Sequence, residues 1–116
     1  MSYPLVKITN STNFVVSGKV SYMSIFCSDD NYTVSPNTTW EASSRGVCLL
    51  TEITATVKTP NGNIVATPYT SSGTSYSNFA ILQTGPTSFA VTRIVNMVED
   101  VALVPEDHAE PTTQQK

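Results

Sequence analysis

Charge is scarce in this chain. Asp, Glu, Lys and Arg make up 13% of its 116 residues, about half the usual quarter. There is one histidine, His108, and two cysteines, Cys27 and Cys48. Ser-His-Asp and Cys-His catalysis need a rigidly held imidazole. His108 stands instead among Pro105, Glu106, Asp107 and Glu110, so no enzyme is expected. Two thiols alone make no zinc site. The five glycines are dispersed singly, which excludes a glycine-rich phosphate loop, and no cofactor is implied. Helical 3.6-residue periodicity is also missing, and no apolar run is long enough to span a bilayer.

The net charge of −3 hides an asymmetry. Glu99, Asp100, Glu106, Asp107 and Glu110 all follow residue 98. The first 98 residues carry Lys7, Lys19, Arg45, Lys58 and Arg93 against Asp29, Asp30, Glu41 and Glu52. Five scattered cations do not make the basic patch that phosphate neutralisation requires, so nucleic acid is not an expected partner. The opening Met-Ser-Tyr-Pro-Leu lacks the basic and apolar segments of a signal peptide. Cytosolic residence, another exit route and a removed leader stay open. A secreted or cell-surface location is favoured over a cytoplasmic one if the cysteines pair.

What the chain has in quantity is hydroxyl: 14 Ser and 17 Thr. Thr suits exposed strand faces and Ser suits loops, so this polarity is of the β type. Glu52 to Lys58 alternates polar and apolar residues without a break, and Ile64 to Thr67 follows Asn61-Gly62. Asn-Gly between such runs predicts a hairpin closed by a type I′ turn. Further strands are read at Leu5–Thr9, with Val6 and Ile8 inward, at Phe14–Cys27, and at Tyr32–Val34. The rest fall at Thr38–Ala42, Asn78–Leu82 and Phe89–Val95. Gly18 interrupts the apolar parity of Phe14, Val16, Val20 and Tyr22, marking a bulge or a close approach. From Met23 to Cys27 both parities are apolar, which predicts a strand end covered on both faces. The expected fold is all-β: an antiparallel sandwich, or small barrel, of about eight strands over residues 1–98. Residues 99–116 are expected to form an acidic, disordered tail. Val98, Val101, Leu103 and Val104 suggest one docked strand at 99–104.

Cys27 and Cys48 are expected to form a disulfide, two buried thiols being the alternative. Three glycosylation sequons begin at Asn10, Asn31 and Asn37. In this composition they are weak signals. Asp29-Asp30-Asn31 offers oxygen ligands but no second ligand loop, so an Asx turn is expected rather than calcium, and no metal site is assigned. Glu41 and Glu52 read as solvated side chains. Arg93 shares parity with Phe89 and Val91, so it either ends the buried row or pairs with an acid such as Glu52.

The binding signal lies in aromatics set among hydroxyls. Thr67–Ser77 reads as a loop in which Tyr69 and Tyr76 bracket Ser72 and Thr74, with rigid rings to supply area and hydroxyls to supply hydrogen bonds. Tyr32 and Trp40 flank Ser35-Pro36-Asn37, although Trp40 is read first as core. Arg45, read first as a solvated loop cation, could grip an anion. Together these residues suggest a non-enzymatic module for a glycan, a lipid headgroup or a protein surface. Self-assembly into a homo-oligomer through sheet edges, which carry few charges, is the second expectation.

Overall fold

The computed structural model describes residues 3–43 and 45–95. The expected tail, its strand at 99–104, the boundary at 98 and His108 all lie outside those residues. Ten strands form in chain order: β1 (Lys7–Asn10), β2 (Val15–Tyr22), β3 (Asp30–Val34), β4 (Thr39–Glu41) and β5 (Leu50–Ile53), then β6 (Thr56–Thr59), β7 (Gly62–Val65), β8 (Tyr69–Thr74), β9 (Asn78–Gly85) and β10 (Ser88–Arg93). Among the described residues there is no helix, and so none long and apolar enough to cross a membrane.

The strands make two sheets, one ordered β10-β9-β1-β4 and the other β7-β6-β2-β5-β8 with β3 on β2. Val6, Ile8, Phe79, Ile81, Phe89 and Val91 come from the first sheet and its flank. They meet Val16, Val20, Leu50, Ile53 and Val57 of the second in one buried cluster. Alternation along each strand produces this, because successive side chains point to opposite faces. Pairing is antiparallel with one exception between named strands: β1 runs parallel to β9, Lys7 opposite Asn78 and Asn10 opposite Ile81. Thr67 also bridges the outer edge of β10, donating to Phe89 O at 2.8 Å and accepting from Val91 N at 2.9 Å. That contact stitches the two sheets together.

Several boundaries differ from the sequence reading. The expected strand Phe14–Cys27 stops at Tyr22, and residues 23–27 form an exposed turn. The alternation of Glu52 to Lys58 holds, with Ile53, Ala55 and Val57 all buried, but the ladder opens at Thr54-Ala55. Register does not slip across the gap: Ser17 faces Thr56 before it and Val20 faces Ile53 after it. The hairpin is closed by Pro60-Asn61, not Asn61-Gly62, since Thr59 pairs with Gly62. Positive φ falls on Gly62 at 119° and not on Asn61. Pro60 accounts for this, because its fixed φ suits the first central position of a common turn and leaves glycine to absorb the next reversal. The Thr59 hydroxyl then caps the turn, receiving Asn61 N at 3.2 Å and donating to Gly62 O at 2.6 Å.

The opening at Thr54 is where Gly18 matters. The Thr54 carbonyl turns out of the ladder to accept the Tyr32 hydroxyl at 2.7 Å, while Lys19 N donates to the Thr54 hydroxyl at 3.1 Å instead. A Cβ at Gly18 would overlap that carbonyl and lie 2.9 Å from the Tyr32 hydroxyl oxygen. Gly18 is therefore a close-approach glycine. Gly18→Ala should lower stability by about 1–3 kcal/mol, the usual scale of overpacking, read as a fall in the urea midpoint with unchanged slope.

Candidate functional site

The seven residues singled out by their chemistry do not share one surface. Tyr32 is buried in β3, and its ring lies 5.4 Å from that of the half-buried Trp40 in β4, so this pair joins the two sheets from inside. The expected Thr67–Ser77 loop is largely strand β8, which pairs with β5. Tyr69 packs on Phe79 at 4.8 Å. Thr74 is fully buried, whereas Ser72 faces outward. The Arg93 guanidinium, at the end of β10, covers the Tyr76 ring at 3.3 Å.

Arg45 is the largest departure from expectation. It is 4% exposed. Its Nε donates to Cys48 O at 2.8 Å, Nη1 to Tyr76 O at 3.0 Å, Ser75 O at 3.2 Å and Pro4 O at 3.3 Å, and Nη2 to Thr74 O at 2.6 Å. A rigid fork of donors is what allows one side chain to serve three backbone segments. Arg45 is thus a buried clamp and not a solvated cation.

Asn10 is its counterpart at the other end of β1. Fully buried, it donates through Nδ2 to Phe14 O at 2.7 Å and to Val34 O and Ser35 O at 3.2 Å each. Its Oδ1 accepts from Thr12 N and the Thr12 hydroxyl. The sequon at Asn10 is therefore closed to a glycan in the folded chain, whereas Asn31 and Asn37 are exposed.

The feature that sequence reasoning missed lies just beyond Arg45. Cys27 and Cys48 form the expected disulfide, with their Cα atoms 6.2 Å apart. The bridge pins the turn after β2 to the segment before β5. On this frame Ile25 and Phe26 are each 92% exposed, Val47 66% and Met23 53%. The turn is ordered by its own hydrogen bonds: Phe26 N to the Ser24 hydroxyl at 3.1 Å, Cys27 N to Ser24 O at 3.0 Å, and Met23 N to Leu49 O at 2.8 Å. Met23, Phe26, Val47 and Leu49 line a shallow apolar depression of about 300 Å³ beside the bridge. The result is an apolar knob on a fixed base. The signal was present in Met23-Ser24-Ile25-Phe26-Cys27, but two-parity apolarity describes a covered strand and an uncovered tip equally well.

Beside the knob, Lys19 lies 3.7 Å from Asp29, and the Tyr22 hydroxyl donates to Asp30 at 2.8 Å. Asp30 and Asn31 open β3 instead of completing the expected turn, because they pair with Val20 and Lys19 of β2, and the carboxylates of Asp29 and Asp30 are both engaged. Among the described residues, no three His, Cys, Asp or Glu side chains gather to hold a metal. Glu41 faces Lys7 at 3.9 Å in one sheet, while Glu52 lies in the other, so these carboxylates do not form a pair. Burial pushes the Tyr22 phenol well above its usual range, and its bond to Asp30 adds to this. Burial does the same for Tyr32. Compared with protein-family models, curated proteins and solved structures, the chain matches none.

Arg45→Lys should destabilise the fold by about 2 kcal/mol or more, since an ammonium cannot reach all five carbonyls and leaves some buried and unpaired; chemical denaturation measures it. The tyrosines give a second expectation. Below about pH 10 the phenols are protonated in both folded and unfolded states and their contribution is intact. Above it the unfolded chain releases protons that the folded chain keeps, so stability falls as pH rises, by at most about 1.4 kcal/mol per pH unit for each phenol. Urea midpoints from pH 9 to about 11.5 should show this, with a shallower fall in Tyr22→Phe.

Proposed function

We propose that this protein is a non-enzymatic binding module that docks by inserting its disulfide-held apolar knob into the interfacial layer of a lipid surface. The observation that carries this reading is the exposure of Ile25 and Phe26, 92% each, at the tip of an ordered turn. Full burial of a large apolar side chain yields roughly 1.5–3 kcal/mol. Two such residues, with Met23 and Val47 beside them, suffice for reversible interfacial binding of the kind a single acyl chain gives. A convex knob needs no matching cavity in its partner, which favours a deformable surface. A glycan would ask for polar groups converging on a cleft, and the tip offers apolar atoms. The Cys27–Cys48 bridge supports an oxidising compartment, hence a secreted or cell-surface setting.

Sedimentation with phosphatidylcholine vesicles tests the proposal. Joint Ile25→Ser and Phe26→Ser should reduce vesicle retention at least about tenfold, by loss of the transfer energy, while the melting temperature stays within a few degrees. Tyr69→Phe should leave retention unchanged, since the Tyr69 hydroxyl is buried. Retention equal to wild type in the double variant would sink the proposal. If the wild type ignores vesicles but forms an oligomer that the same variant dissociates, the knob is a contact between copies and the assembly reading replaces this one.

A further inference from the structure

We infer that the lipid surface this knob fits is one without net charge, a zwitterionic bilayer face, and that anionic surfaces are disfavoured. The inference rests on the reading above and adds the class of lipid. It comes from the charges that frame the knob.

Proteins that seek anionic leaflets present exposed Lys and Arg beside their apolar contacts, because each adds attraction near the surface. Here the segments that build the knob and its base, residues 19–30 and 45–52, contain two cations and three acids: Lys19 and Arg45 against Asp29, Asp30 and Glu52. Neither cation is presented outward as a free charge. Lys19 sits 3.7 Å from Asp29. Arg45 is 4% exposed and points its donors at the carbonyls of Pro4, Cys48, Thr74, Ser75 and Tyr76. The tip itself, Met23 to Ser28, has no charged residue, and the two residues that follow it are both acidic. Over the first 98 residues five cations and four acids nearly cancel, so the acids at the rim of the knob set the local sign. Attraction is left to apolar transfer alone. That force is indifferent to headgroup charge and only weakly changed by simple salt.

Two vesicle compositions at two salt concentrations separate the possibilities. Phosphatidylcholine vesicles should retain the protein equally at about 0.02 M and about 0.5 M NaCl, whereas exposed-charge attraction would be strongly screened over that range. Replacing about a third of the lipid with phosphatidylserine should weaken retention several-fold at low salt and restore it at high salt, as screening shortens the repulsion to a few ångström. Joint Ser28→Lys and Asp29→Asn shifts the rim charge by +2, adding one cation and removing one acid at two exposed positions. It should reverse the preference, so that the phosphatidylserine vesicles bind better at low salt. Equal or stronger wild-type binding to phosphatidylserine vesicles at low salt overturns the inference while leaving the docking reading intact. No retention on either vesicle overturns the docking reading itself. Should the double variant unfold, the wild-type salt series decides alone.

Discussion

The guanidinium of Arg45 is the constraint on which this end of the molecule depends. One buried cation organises carbonyls from the N-terminal segment, from the stretch before β5, and from the end of β8 and the connection that follows it. Thr74 is the last residue of β8, opposite Leu50; Pro4, Cys48, Ser75 and Tyr76 lie outside the strands, where backbone acceptors need donors from elsewhere. An arginine can meet them together because its donors are coplanar and fixed relative to one another. Cys48 belongs to the same arrangement: its carbonyl accepts from the Arg45 side chain, its amide donates to Arg45 O at 3.1 Å, and its sulfur holds Cys27. Clamp and bridge therefore share a residue. The base of the knob is stiff for that reason.

Asn10 closes the opposite end by the same logic, joining the turn before β2 to the end of β3. Between these two polar fastenings the sheets are held by apolar packing, with Phe79, Ile81, Leu50 and Ile53 at its centre, and by the Thr67 bridge to β10. The parallel partnership of β1 with β9 fits between them. It brings the chain's first strand into the middle of a sheet, where Val6 and Ile8 are fully buried. A small all-β domain of this kind gains from fixing its open ends, because loops there contribute little apolar burial of their own.

The all-β class and two-sheet core were legible in the sequence, because alternation fixes which side chains turn inward even where a ladder is broken, as at Thr54. The disulfide was legible too, since only one pairing of two cysteines exists. What was not legible has definite causes. Pro60 displaced the hairpin turn by one residue, a local steric preference overriding a dipeptide signal. The Ser/Thr stretch at 69–74 forms a strand because hydroxyl residues with β propensity pair as readily as they loop. Asn10 and Arg45 look like ordinary polar loop residues, and their burial follows only from long-range carbonyls that no local window contains. The seven candidate site residues suffered from the same blindness: aromatic and hydroxyl content marks core packing and binding surfaces alike.

The knob shows how those two readings come apart. An apolar side chain normally contributes to the fold by leaving water, and one that stays 92% exposed contributes almost nothing of that kind. Ile25 and Phe26 are thus not accounted for by folding. Their local order comes instead from Ser24, from the Met23–Leu49 backbone bond and from the Cys27–Cys48 bridge, none of which requires a hydrophobic residue at positions 25 and 26. Serine or asparagine there would satisfy the same backbone and would remove a contiguous apolar patch that invites unwanted association. Where a fold supplies rigidity by other means and still presents large apolar side chains such as Ile25 and Phe26 to water, burial in the described fold is not the reason those residues stand there.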